Sequence, residues 1–425
     1  MEDQAAIPYV RTRLWGQMFL QFAIQGAYQP VFGRHMEKLG FSPKEQGTVF
    51  MAGCIAPLVL PLIAGQSVDR WFSAQKVLSF CYLVTGGLLL WAGGVREFTP
   101  LVWVTFMAAM FFTPTMALAN ALSFHHLTDA RRDFPIVRVG GTLGYIGAGW
   151  ALTGWMVHLD KHGVELPFRY SLYIAGILAF VNAVYCLTLP HTPPQREAAG
   201  KFALGKVLAM LKDPSFAVLS ALGLVMMIFA SFYYFKTSNF IPTVHIPKAW
   251  VAPGESDRIP EAWISTVMSV GQVMEILTMF LLPWFYRRFG SKITIAAGLV
   301  AWLTRFVIFA TSTDLVLVVA AQALHGFCFA FALAATMIYV ERICTTDVRG
   351  SMQSFLGWLM GLGTLAGAWL SSAVHDAYTA GTGANAVTDW GRVWLVPAAG
   401  IALVLVVFIL AFRARDTEEG RGVRG

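Results

Sequence analysis

The sequence predicts an all-α membrane protein with twelve transmembrane helices in two six-helix halves, and three observations lead there. Hydrophobic residues make up 56% of the 425 and charged ones only 13%, with a mean hydropathy of +0.60. A water-soluble fold of that composition would expose more apolar surface than water tolerates. The apolar residues fall into twelve runs, each near the ~20 residues that span a bilayer. The longest polar connection, residues 191–212, carries Pro193, Pro194, Arg196, Glu197 and three lysines, and it separates six runs from six.

In order, the predicted spans are 13–33, 47–66, 76–94, 100–122, 135–158, 168–190, 214–240, 263–286, 292–311, 315–341, 351–374 and 392–413. The division is therefore an N-terminal half over 1–190, a linker over 191–212 and a C-terminal half over 213–425. No segment outside the spans is long enough for an independent soluble domain. The first run begins near Leu14 without a small-residue cleavage site, so it is expected to be a retained helix and not a removed signal. It carries Gln17, Gln21, Gln25 and Gln29, four apart, which drift about 40° per step and form one broad polar stripe. Such a stripe serves either a water-filled pathway, with Gln25 the candidate substrate contact, or hydrogen bonds between helices. The fifth run holds Gly140, Gly141, Gly144, Gly147 and Gly149, and the eleventh Gly357, Gly361, Gly363 and Gly367. Small residues at that spacing let helices pack closely, and these two runs are expected to be close-packed pivots between the halves.

Charge placement sets the orientation. Nineteen Lys and Arg fall in connections on one side and nine on the other, with Arg138, Lys236 and Arg305 inside spans. Positive charge marks the cytoplasmic face, so both termini and the central linker are expected in the cytoplasm. This placement also argues against a nucleic-acid partner, since the basic residues flank spans and form no patch. The five cysteines lie in or beside spans without paired spacing and are read as packing residues, not disulfides or metal ligands.

Of the 24 carboxylates, Glu275 alone lies mid-span. An ionised group there costs about 2.5–3.5 kcal/mol on insertion scales. Protonation removes that cost, so such a glutamate can load and release a proton. Gln272 precedes it by one turn. The pair either faces a cavity, binding proton or substrate, or Glu275 stays protonated and holds two helices together. Arg138, Thr142 and Tyr145 fall at i, i+4 and i+7, one helical face: a cation, a hydroxyl and a ring suited to a polar, ring-bearing substrate. Alternatively, Arg138 anchors lipid headgroups or pairs with Asp133. His325 and Phe329, one turn apart, are a further candidate pair. Lys236 is placed to snorkel, and Arg305 is deeper and read as structural.

Two resemblances follow. Parallel six-plus-six repeats are the architecture of the major facilitator superfamily. Its loop of the form G-x3-D-R/K between spans two and three is matched by Gly65 through Asp69 and Arg70, which the resemblance makes a conformational latch. The drug-antiporter Gly-Pro pair of span five is absent, which favours import. Within the superfamily the chain resembles the nucleoside:proton symporter family. The resemblance rests on Leu20-Gln21-Phe22, Asp69-Arg70-Trp71-x-Ser73-Ala74, Pro114-Thr115 with Asn120-x-x-Ser123, and Asp133-Phe134-Pro135-x-x-Arg138-x-x-Gly141-Thr142-x-Gly144. It continues through Met268-Ser269-x-x-Gln272-x-x-Glu275, Ala301-Trp302-x-x-Arg305-Phe306 and Thr388-Asp389-Trp390-x-x-Val393-Trp394. It implies proton-driven nucleoside uptake at a central site. The residues it implicates are Arg138, Thr142, Tyr145, Gln272, Glu275 and Phe329, with His325 replacing an aromatic. The family's acidic residue after the span-ten phenylalanine is Ala330 here, and its span-seven amide pair falls on Ser231 and Tyr234.

The expected function is thus a proton-coupled importer of nucleosides or similar polar molecules, working by alternating access, in the cell membrane (the inner one in a Gram-negative cell). Its expected partners are the substrate, protons and lipid; it is expected to be a monomer without cofactor or metal. The lost acid at Ala330 keeps a sugar or glycan-fragment permease open as an alternative. A membrane enzyme would need a catalytic cluster at one face. His125 and His126 with Asp129 come nearest, and they look like an ordinary loop. A sensor would need a soluble output domain.

Overall fold

The computed structural model describes residues 9–63, 72–164, 168–193, 210–343, 349–381 and 386–414. The expected latch, Asp69 and Arg70, lies outside them. The described chain is almost entirely helical: α1 (Val10–Lys38), α2 (Pro43–Ile63), α3 (Ala74–Gly94), α4 (Phe98–His126), α5 (Ala130–Lys161), α6 (Arg169–Leu187) and α7 (Pro214–Phe240) come first. Then follow α8 (Ile264–Thr311), α9 (Leu315–Ala323), α10 (His325–Phe327), a π-helical segment (Cys328–Ala334), α11 (Ala335–Ile343), α12 (Arg349–Ala377) and α13 (Trp390–Ala411). Two short strands, β1 (Thr379–Ala380) and β2 (Val387–Thr388), pair antiparallel between α12 and α13.

Eight helical stretches among the described residues are long and apolar enough to cross a bilayer. α1, with its glutamine stripe, and α5, with five glycines over 140–149, are not among them. At 48 residues, a straight α8 would run roughly 70 Å, twice a hydrocarbon core of ~30 Å. It turns back at Gly290, whose φ of 78° suits a residue without Cβ, leaving limbs 264–289 and 291–311. Several helices begin on an aspartate cap. Asp129, Asp213, Asp314 and Asp389 each accept from backbone N–H groups of the first turn, at 2.9–3.2 Å. Asp129 therefore caps α5, while His126 Nε2 meets Thr192 Oγ1 at 2.8 Å. The nearest thing to a catalytic cluster is structural.

The chain divides into two compact units. One gathers residues up to 41, 48–200 and 262–266; the other gathers 42–47, 201–261 and 267–425. In the first, α1 lies directly on α5. A Cβ on Gly26 would run into the backbone of Tyr145, and one on Gly144 into the backbone of Phe19. In the second, α12 lies on α7 the same way, with Gly363 and Gly367 against the carbonyls of Leu224 and Ile228. The glycine-rich helices are thus close-packed as expected, and these approaches lie within each unit. Lipid tails are as apolar as leucine, so such helices associate through close packing and polar contacts. Exposed side chains such as Phe280 and Leu410 are apolar, while Gln17, Gln21, Asn182, Lys236, Arg305 and Gln322 are buried, the reverse of a soluble protein.

Gly144→Val should therefore lower stability by about 1–3 kcal/mol or more through overpacking. Gly154→Ala, in the same helix with nothing within 4 Å, should be neutral or gain about 0.5–1 kcal/mol. Thermal unfolding of the detergent-solubilised protein distinguishes the two.

Candidate functional site

In the first unit the expected stripe sits on α5. Arg138 lies with its guanidinium carbon 4.1 Å from the ring centroid of Phe22, a cation–π arrangement. Gly141 makes room for it: a Cβ there would meet the Phe22 ring at 2.6 Å and Arg138 Nη1 at 3.1 Å. Asp133 is hydrogen-bonded to Arg11 at 3.2 Å, an ion pair between helix ends. Thr142 and Tyr145 are half-buried. The glutamine stripe of α1 is divided. Gln17 donates to Gln21 Oε1 (3.0 Å) and to Tyr82 (3.2 Å), and Gln21 donates to Thr115 at 3.5 Å. These two hold helices together; Gln25 is half-buried and Gln29 exposed.

The second unit contains a polar cluster built from α7, α8, α9 and α10. On α8, Gln272 and Glu275 are one turn apart. The side chain of Glu275 is 23% exposed, whereas Gln272 Oε1 is buried without a hydrogen-bond partner among the described residues. His325, at the start of α10, brings Nε2 to 3.9 Å from Glu275 Oε2. Its Nδ1 meets Arg305 Nη1 at 3.1 Å, and Arg305 Nη2 donates to Gln322 Oε1 at 2.5 Å. The Arg305 guanidinium is centred 3.5 Å over the ring of Tyr233, and Tyr233 packs on His325 with centroids 5.0 Å apart. Gly271 permits this approach, since a Cβ there would meet that of His325 at 2.9 Å.

Phe329 is half-buried in the π-helical segment, one turn beyond His325, and Tyr234 is exposed. Insertions of this kind are frequent at functional sites. Ser231 is fully buried, donating to the Met227 carbonyl at 2.7 Å and packing against Gly367. Ala330 likewise has no exposed surface. Lys236 corrects an expectation: it does not snorkel. Its ammonium is buried and donates to Ser372 Oγ at 2.9 Å. Sequence reasoning also missed Tyr233, Gln322 and Trp302, whose ring centroid lies 5.6 Å from the Arg305 guanidinium carbon. The signal was available in part, since Trp302 and Gln322 each precede Arg305 and His325 by three residues, one helical turn.

The protein-family model described as "Nucleoside H+ symporter" matches residues 9–417. The xanthosine permease of Escherichia coli (strain K12) is 29% identical over 96% of this chain and 97% of its own. The nucleoside permease NupG of the same organism is 27% identical over 96% of each. A crystal structure of the nucleoside transporter NupG superposes with a TM-score of 0.81 at 26% identity, covering 95% of this chain and 99% of that one.

The Lys236 site generates a contrast. Ser372→Ala removes an acceptor from a buried ammonium and should cost about 1.5–3 kcal/mol. Lys236→Met removes the charge itself and should cost less, because a buried ion replaced by an apolar group of similar volume is often tolerated. Unfolding temperatures of the two variants in detergent read the difference.

Proposed function

The chain belongs to the nucleoside H+ symporter family and imports nucleosides coupled to protons, and we propose that Glu275 is the group that carries the proton. The observation that bears the weight is its position. It is a deep carboxylate with part of its side chain open, while His325 and Arg305 behind it are closed off. Ionised, it faces a large desolvation cost on closure; loaded with a proton, it is neutral and the site can close around it. Coupling follows if closure with substrate is favoured only in the protonated form, because a ligand shifts a conformational equilibrium only by its differential affinity.

The proposed substrate contacts are Arg138, Thr142, Tyr145 and Gln25 from the first unit, with Gln272, Glu275, His325, Phe329, Ser231 and Tyr234 from the second. Gln272 Oε1, buried without a partner, is an acceptor suited to a hydroxyl or amino group of a nucleoside. Tyr145 and Phe329 are rings on which a base can stack. Ser231 already has its hydroxyl engaged by Met227, so its contribution is the weakest supported of the set. The permeases that resemble this chain are named for xanthosine and for nucleosides, which makes purine and pyrimidine nucleosides the first substrates to try. We further propose twelve spans in two six-helix halves (1–190 and 213–425, joined by 191–212). Both termini would then be cytoplasmic, in the inner membrane of a Gram-negative cell, with alternating access by a monomer and with Asp69 and Arg70 as the latch.

The test is uptake of labelled nucleosides into proteoliposomes with and without an inward proton gradient. Glu275→Gln should abolish accumulation while sparing nucleoside exchange, since an amide cannot cycle a proton; accumulation at the wild-type level would remove Glu275 from coupling. A site that hydrogen-bonds ribose hydroxyls rejects a deoxy analogue by leaving its own polar groups unpaired. With Ala330 in place of an acid, thymidine should compete with uridine more effectively here than in relatives that retain the acid.

A further inference from the structure

We propose that Arg305 is a positioning residue: by donating into Nδ1 of His325 it fixes the imidazole as its Nε2–H tautomer, turned toward the carboxylate of Glu275. A guanidinium is always protonated and has only donors. At 3.1 Å from Arg305 Nη1, His325 Nδ1 must present its lone pair. A neutral ring whose Nδ1 accepts carries its hydrogen on Nε2, and Nε2 is the atom 3.9 Å from Glu275 Oε2. The orientation follows from what each neighbour is able to donate.

The surroundings leave little freedom to escape it. Arg305 is held by Gln322 Oε1 at 2.5 Å and by the Tyr233 ring. The far side of His325 is closed by Gly271 of α8, and a Cβ on Gly326 would run into the Met274 carbonyl. The titratable or charged groups facing this pair, among the described residues, are Tyr233 and Tyr234 from α7, Glu275 and Arg305 from the two limbs of α8, and Cys328 from the π-helical segment. The group that meets Nδ1 is Arg305, a donor.

Two consequences follow, both resting on the assignment of Glu275 as proton carrier. His325 turns an N–H toward the carboxylate, at 3.9 Å an electrostatic contact and not a hydrogen bond, and it is not a second proton carrier, because taking a proton on Nδ1 would set an N–H against the guanidinium. Arg305 also places a fixed positive charge one residue behind Glu275, so the ionised carboxylate has a countercharge that the protonated form does not need.

The experiment is ¹⁵N NMR of histidine-labelled protein, with His325 assigned by its loss in His325→Gln. The wild type should show a single neutral Nε2–H ring for His325 between about pH 5 and 8, the range where free histidine titrates. Arg305→Lys, which keeps a donor, should preserve that signature. Arg305→Met should release it, giving mixed tautomers and a protonation step within the range. In the same variant, the pH profile of gradient-driven uptake should gain a second step that disappears in Arg305→Met/His325→Gln. An Nδ1–H or cationic His325 in the wild type overturns the proposal. A folded Arg305→Met with an unchanged ring signature overturns it as well. Wild-type accumulation in Glu275→Gln would instead overturn the proton-carrier assignment, leaving the tautomer result standing by itself.

Discussion

The hydrocarbon interior offers no water to a polar group, so each one there must find its partner inside the protein. That constraint orders most of what is seen. Gln17 and Gln21 close on each other and on Tyr82 and Thr115. Lys236, with four methylenes to reach with, turns inward to Ser372. Arg305 is enclosed by an imidazole, an amide and an aromatic face. The interior is polar in places, while the outward faces carry Phe280 and Leu410.

The same solvent removes the ordinary reason for helices to associate, and small residues take over. Gly26 and Gly144 bring α1 and α5 to backbone contact, as Gly363 and Gly367 do for α7 and α12. Close approach also shapes the polar cluster. Gly271 lets α8 press against His325, and Gly298 brings the second limb of α8 against Phe331 and Ala332 of the π-helical segment. The extra residue per turn in that segment follows His325 and includes Phe329, so the one irregular stretch of the rod from Leu315 to Ile343 lies beside the residues that matter most.

Carboxylates show how position decides role. Asp129, Asp213, Asp314 and Asp389 satisfy helix N-termini, and Asp133 and Asp376 form ion pairs with Arg11 and Lys44. Glu275 lies deep in the second unit, with His325 Nε2 3.9 Å from its carboxylate and Arg305 on the other side of the imidazole.

The places of the helices were legible in the sequence, because the bilayer demands apolar runs of set length and the chain obeys. Gly290, which turns α8 back, falls in the gap left between the predicted spans 263–286 and 292–311. Observed helices outrun the predictions, as α4 does to His126 and α5 to Lys161, since a helix continues past the hydrocarbon where hydropathy no longer marks it. Glu275 was legible too, as a charge where charge is costly. What the sequence could not decide was which neighbour each polar group meets. Gln17 and Gln25 look alike along one stripe, yet the first is locked to α3 while the second is half-buried without that lock. Lys236 looked ready to snorkel and instead turns inward to Ser372. Partner choice depends on which helix faces which and how closely, to within an ångström; hydrogen bonds are that sensitive and hydropathy is not.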